Sequence, residues 1–289
     1  MSTLASSPLR LLFIGDVMGR SGRSAVLSRL PALRDAWALD FVIVNGENAA
    51  GGFGITESLC EELLQAGADC VTLGNHAFDQ REAMSYIERQ PRLLRPLNYP
   101  PGTPGRGANV YAVRGGRRVL VVSAMGRVHM EPVLDDPFAA VDRELAANPL
   151  GQKTSAIVLD MHAEATSEKM AMAHFVDGRA SLVVGTHSHV PTADAHIMTK
   201  GAGYISDVGM SGDYDSVIGM TKAEPIRRFL RKTPGNRYEP AQGEATLCGV
   251  CVEIGADGLT QRIAPLRLGG RLARAWPEFW PEFGGGPGK

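Results

Sequence analysis

The stretch Ser181-Leu-Val-Val-Gly-Thr-His-Ser-His189 begins as an apolar, β-branched run and ends in two imidazoles. Such a run bounded by glycine predicts a buried strand that turns at Gly185. In open α/β sheets, ligands gather beyond the carboxyl ends of the strands, which is where His187 and His189 would stand. A single His-x-His pair is weak evidence, because paired loop histidines are as often surface residues as ligands. The pair gains weight from the rest of the chain, where the same arrangement recurs.

Leu11–Ile14 runs into Gly15-Asp16, and Phe41–Val44 runs into Asn45-Gly-Glu-Asn48. Cys70–Leu73 runs into Gly74-Asn-His76, and Ala156–Leu159 into Asp160 and then His162. Each has a bland reading: Asp16 as a helix cap, Asn75 as a turn residue, His162 as a satisfied core histidine. Five strands ending this way exceed what capping and turn chemistry produce together. Oxygen and imidazole donors without thiolate suit Fe, Mn or Zn in a hydrolytic site, whereas a structural zinc site would use cysteine. Asp16, Glu47, Asn48, Asn75, His162, His187 and His189 are more ligands than one ion needs. They predict two ions bridged by one carboxylate, a pair that at about 3.5–4 Å suits displacement at phosphorus.

At these positions the chain resembles the calcineurin-like metallophosphoesterase superfamily. The shared order is Asp after the first strand, an acid after the second, Gly-Asn-His after the third, a lone His, then Gly-x-His-x-His. Two residues depart from it: Met18 stands where a histidine is usual, and Glu47, followed by Asn48, stands where the bridging Asp is usual. The strings Gly15–Arg23, Asn45–Thr56, His162–Lys169, Gly185–Asp194 and Asp207–Gly219 are similar to those of the YmdB-like cyclic-nucleotide phosphodiesterases. That resemblance covers roughly Leu11 to Leu266. Met161 and Asp213 are small departures outside the ligand set.

The resemblance implies an α/β fold, a four-layer sandwich of two mixed β-sheets flanked by helices. It implies one ion on Asp16, Glu47, Asn48 and His189 and a second on Glu47, Asn75, His162 and His187, with Glu47 bridging. Iron is the first expectation for both ions and manganese the second. The Asn48 amide oxygen, which needs no deprotonation, would offset the missing histidine at Met18. His76 is implied as the proton donor, a role an imidazole suits near neutral pH; the alternative is a phosphate-binding residue or one behind the ligands. The expected reaction is hydrolysis of cyclic nucleotides, 2',3'-cyclic ones first, by attack of a metal-bridging hydroxide. Two other classes stay open: a regulatory RNA- or protein-binding protein with a weakly active inherited site, and a phosphomonoesterase.

The 289 residues are long enough to bury a sizeable core, and without a linker in the middle they predict one domain over residues 1–270 and a tail over 271–289. A net charge of −1 supplies no general drive toward nucleic acid. An RNA-metabolism partner and self-assembly remain open, and a small phosphoester or cyclic nucleotide is the expected substrate. Leu11–Ile14 is too short for a signal core, and no run approaches the ~18 apolar residues of a membrane helix. Cys60, Cys70, Cys248 and Cys251 read as structural thiols, with Cys248 and Cys251 on opposite faces of a strand. Together these features predict a cytoplasmic protein.

Helical spacing predicts helices over 20–37, perturbed at Pro31, and over 57–66, 80–89 and 166–175. Gly115-Gly116 and Asp257-Gly258 predict hairpins, hence mixed sheets. His129, His174 and His196 fall outside the ligand pattern. Arg20 and Arg23 could meet substrate phosphate or pack on the surface, and Arg227, Arg228, Arg231 and Lys232 read as a solvated helix face. Asp207–Gly219 is implied as a substrate-side loop. Trp276–Phe283 is expected to dock on the body or on a neighbouring subunit, with the last six residues disordered.

Overall fold

The computed structural model describes residues 7–233 and 235–283. In chain order the strands are β1 (Leu9–Ile14), β2 (Phe41–Asn45), β3 (Cys70–Thr72), β4 (Leu93–Leu94), β5 (Ala108–Ala112), β6 (Arg118–Met125), β7 (Ala156–His162), β8 (Leu182–Thr186), β9 (His196–Ile197), β10 (Gly203–Ile205), β11 (Gly212–Asp213), β12 (Ala245–Ile254) and β13 (Thr260–Leu268). The helices are α1 (Gly19–Ala36), α2 (Glu57–Gln65), α3 (Arg81–Arg89), α4 (Pro137–Ala147), α5 (Thr166–Val176) and α6 (Ala223–Arg231).

One sheet runs β11-β12-β1-β2-β3-β4 with β13 on β12, and the other runs β5-β6-β7-β8-β10-β9. β1 to β4 are mutually parallel, while β12 is antiparallel to β1 and to β13. In the second sheet β6, β7, β8 and β10 are parallel, with β5 and β9 as antiparallel edges. Both expected hairpins are present as β5–β6 and β12–β13. Alternate residues of a strand face opposite sides, and three cores follow from that period. Leu12, Val42 and Val71 face α1, α2 and α3; Phe13, Ile43, Val158 and Val184 lie between the sheets; Leu120, Ile157 and Val183 face α4 and α5. Helices, sheet, sheet and helices make the four layers expected from the sequence.

α1 runs through Pro31 as one element. Pro31 sits on its exposed side, where water can take the hydrogen bond that the proline cannot donate. α2 starts where Thr56 Oγ1 accepts from Leu59 N at 3.3 Å, and α3 and α5 lie close to their expected bounds. α4 was not foreseen, although Asp136 caps its first turn and Pro137 begins it, a legible start signal. Cys251 joins the core under the helices and Cys248 points the other way; all four cysteines are buried and free. Beyond residue 270 the chain packs on the body. Trp280 and Phe283 lie 5.3 and 5.9 Å from Trp37, whose Nε1 donates to Pro281 O at 2.7 Å. The last six residues lie outside the described residues.

Between the sheets the inward positions are apolar along each strand and turn polar at its carboxyl end. Ile43 gives way to Asn45, Cys70 to Thr72, Val121 to Ser123, Val158 to Asp160 and Val184 to Thr186. The site stands on this polar floor.

Candidate metal centre

Asp16 follows β1, Glu47 and Asn48 follow β2, and Asn75 and His76 follow β3. His162 ends β7, and His187 and His189 follow β8. The structure brings all seven expected ligands into one cluster. His162 Nε2 lies 3.0 Å from Glu47 Oε1, 2.9 Å from Asn75 Oδ1 and 3.1 Å from His187 Nδ1. Asn48 Nδ2 lies 3.3 Å from the same Glu47 Oε1, 3.1 Å from His189 Nε2 and 3.5 Å from Asp16 Oδ1. Two convergence points therefore share one carboxylate oxygen. Gly74 allows the close approach, since a Cβ there would collide with His162 and Glu47.

Hydrogen bonds behind His162 and His189 decide which of their nitrogens face the cluster. His162 Nδ1 donates to Thr186 Oγ1 at 2.8 Å, and that hydroxyl donates to Asp160 Oδ1 at 2.7 Å. His189 Nδ1 donates to Ile218 O at 2.8 Å, and His187 Nε2 faces Glu164 Oε2 at 3.3 Å. The remaining nitrogens face the cluster: His162 Nε2 meets Glu47 Oε1 at 3.0 Å, His189 Nε2 lies 3.7 Å from Asp16 Oδ1, and His187 Nδ1 lies 3.1 Å from His162 Nε2. Imidazole lone pairs and carboxylate oxygens at these separations repel one another unless a proton or a cation lies among them. An amide flip gives Asn48 an oxygen at the same place. This donor set fits a transition metal.

The proton balance carries the same tension. Burial alone would lower His162, but Glu47 outweighs it and lifts the ring to about 9. Burial would raise Glu47, but His162, then His76 and His187, bring it down to about 2. Burial followed by His162 pushes His187 down to about 3, and burial lifts Asp16 to about 6. The proton between His162 and Glu47 rests on His162, where a cation would compete with it.

Asp160 is the main residue that sequence reasoning passed over as a functional group. It is fully buried and accepts from Thr72 Oγ1 at 2.6 Å, Thr186 Oγ1 at 2.7 Å and Asn45 Nδ2 at 3.3 Å. A buried carboxylate loses several kcal/mol of hydration, and hydrogen bonds to charge return ~1.5–3 kcal/mol each. The three bonds roughly offset the loss. Asp160 therefore gains the fold little and orients His162 through Thr186. Lys169 and Asp207 form a second buried device: Lys169 Nζ lies 2.9 Å from Asp207 Oδ2, which also accepts from Ser188 N at 3.0 Å. It holds the loop in which His187 and His189 take φ of 98° and 64°, values non-glycine residues rarely adopt. The legible signal for Asn45, Thr72, Asp160 and Thr186 was the change from apolar to polar at every second strand position.

His76 stands beside the cluster, its N–H 3.3 Å from Glu47 Oε2 and its Nδ1 2.7 Å from Asp79 Oδ2. A cavity of ≈ 440 Å³ opens above Glu47, His76 and His189. Met18 lines it and packs with Met210 and Met220, so the side chain replacing the usual histidine forms an apolar wall. Val217 and Ile218, from the glycine-rich loop, line it as well. Arg23 donates to Ala49 O, and Arg20 lines a separate groove with Glu244; neither reaches this cavity. His129, His174 and His196 are exposed and outside the cluster.

The sequence profile of the family described as YmdB-like protein matches residues 12–266. The chain belongs to the YmdB-like family. A Bacillus subtilis (strain 168) relative named 2',3'-cyclic-nucleotide 2'-phosphodiesterase is 46% identical over 246 residues, covering 85% of this chain and 91% of that protein. A hypothetical protein from Thermus thermophilus shares its structure with a TM-score of 0.84 at 46% identity, covering 91% and 100% of the two chains. A novel phosphatase from Mycoplasma pneumoniae aligns with a TM-score of 0.85 at 30% identity over 91% and 94%. The YmdB-like match contains every residue of the cluster, and the Mycoplasma structure has the same two-sheet architecture.

Proposed function

We propose that the chain is a metal-dependent phosphodiesterase that opens 2',3'-cyclic nucleotides. The observation that carries this reading is the convergence of three imidazole nitrogens with the Glu47 and Asp16 carboxylates, beneath a cavity large enough for a nucleotide. Asp16, Glu47, Asn48 and His189 would hold one ion, and Glu47, Asn75, His162 and His187 the other, with iron as first candidate and manganese as second. A metal pair supplies Lewis acidity toward phosphate oxygens and lowers the pKa of water. The protein's own part is to bind, orient and protonate. Water adds to phosphorus, one bond from phosphorus to a ribose oxygen breaks, and that oxygen needs a proton. His76 would give it: the contact of its Nδ1 with Asp79 supports Nε2 as the donating atom. The product is a phosphomonoester. Four buried, unpaired thiols suit the reducing cytoplasm to which we assign the protein.

The test compares chelator-stripped protein with manganese- and iron-loaded protein on 2',3'-cyclic AMP, 3',5'-cyclic AMP and p-nitrophenyl phosphate. Turnover of the 2',3'-cyclic substrate by loaded protein alone is expected. Preference for the monoester would move the protein to the phosphatase class. No turnover on any of the three would favour a regulatory role.

A further inference from the structure

The cavity above the metal centre has a polar floor and an apolar wall, and phosphate chemistry explains only the floor. The wall includes Met18, Phe53, Ile218, Met220, Phe229 and Tyr238. Phe229 comes from α6, where it is 80% exposed, and Pro225 one turn earlier faces the same cavity. A phenylalanine this exposed adds almost nothing to folding, since its apolar surface stays in water. Within α6 Glu224 pairs with Arg227 and Arg228 at 2.8 Å, and the Arg228 guanidinium reaches beyond the helix to lie 4.0 Å from the Tyr238 ring centre. Phe53 meets His76 edge-on, with ring centres 5.3 Å apart and an interplanar angle of 87°. Aromatic rings therefore reach from the proton donor to the mouth.

We propose that this wall is a nucleobase-binding subsite in which Phe229 stacks on the base of the substrate, supported by Tyr238 and Phe53. The proposal rests on the phosphodiesterase reading above. A cyclic phosphate seated at the floor leaves the ribose and base to fill the rest of the cavity. Contact with phosphate oxygens would desolvate them against carbon without compensation, whereas the flat face of a base suits the aromatic wall. Stacking of a base on an aromatic side chain contributes ~1–3 kcal/mol and tolerates any base. None of these six wall residues offers an amide or carboxylate to read base edges. The aromatic wall therefore recognises a base as such, and any discrimination among the four would fall to the polar groups of the same cavity, Glu164 and Ser188.

The experiment uses full-length manganese-loaded protein. Turnover is measured on 2',3'-cyclic AMP and on methyl riboside 2',3'-cyclic phosphate, which lacks a base. Binding of adenosine 3'-monophosphate is measured by calorimetry, which reads recognition without turnover. In Phe229→Ala the preference for the nucleotide over the base-free substrate should fall roughly tenfold, mainly through KM, with a similar weakening of nucleotide affinity. Leu230→Ala, on the same helix, 79% exposed and outside the cavity, should keep both at wild-type values. The proposal is overturned if Phe229→Ala retains preference and affinity, or if Leu230→Ala loses as much. Wild-type protein that turns over neither substrate would sink the phosphodiesterase reading, while calorimetry with Phe229→Ala would still decide the subsite.

Discussion

Asp160, on the floor of the cavity, is fully buried and held by side chains from β2, β3 and the end of β8. Phe229, at the mouth, is largely exposed on a helix whose arginines reach out to Tyr238 and Asn236, while its ion pairs with Glu224 lie within the helix itself. The floor is over-determined, since each group is tied to several strands that cannot move independently. The mouth is secured by a few surface contacts, and surface ion pairs contribute only ~0–1 kcal/mol each. The contrast follows from what each region does. Metal ligands must be placed to within about 0.5 Å, whereas stacking tolerates displacement. Rigid strand ends serve chemistry, and a peripheral helix serves the adaptable part of substrate recognition.

The floor is most sensitive to substitution at Glu47. Glu47→Gln removes the charge at both convergence points, and metal content by elemental analysis should fall together with activity to background. A variant that retains two ions would break the assignment of Glu47 as their shared ligand. His76→Ala, beside the same carboxylate, should keep its metal while kcat drops ~10²–10⁴-fold. Full turnover on every phosphodiester tested would remove His76 from the role of proton donor.

A smaller effect is expected one layer deeper. Asp160→Asn keeps the shape but loses the charge that orients Thr186 and His162, and metal affinity measured by competition with a chelator should weaken ~10–100-fold. Wild-type affinity would mean that the floor holds its geometry without the carboxylate. The smallest effect is on pH dependence. Relative to its ordinary value of 6.5, the raised pKa of His162, about 9, stabilises metal-free protein fully below 6.5, and this stability is lost as pH rises through 9. Asp16, raised to about 6, acts with the same sign at lower pH. Metal must displace the His162 proton, so the rise in Tm on adding manganese should grow between pH 6.5 and 9. A rise that stays flat over that window would show that metal and proton do not compete.

Much of the site was legible because the ligands follow strands directly, so local spacing carries them. Thr72, Asn45 and Thr186 were harder to read as functional, because a polar residue at a strand end is also ordinary turn chemistry. Lys169 and Asp207 lie 38 positions apart, and nothing local marks them as a pair. The Arg227–Arg228 helix was legible as a helix, but its position over the cavity was not. The aromatic end packs on the body of the chain, with Trp280 against Trp37.

The sequence by itself determined which strands lead into ligands, the chemical type of each ligand and the replacement of a usual histidine by Met18. Those properties depend on side-chain identity and on periods of a few residues. Only the tertiary structure decided which groups meet: Asp16 and His187 come within 3.3 Å across 171 positions, and Thr72 reaches Asp160 across 88. The packing of one sheet on the other makes those contacts. Strand pairing within one sheet sets Thr186 beside His162, and the loop carbonyl of Ile218 meets His189, so contacts formed only in the folded chain decide which nitrogen of each ring faces the cluster.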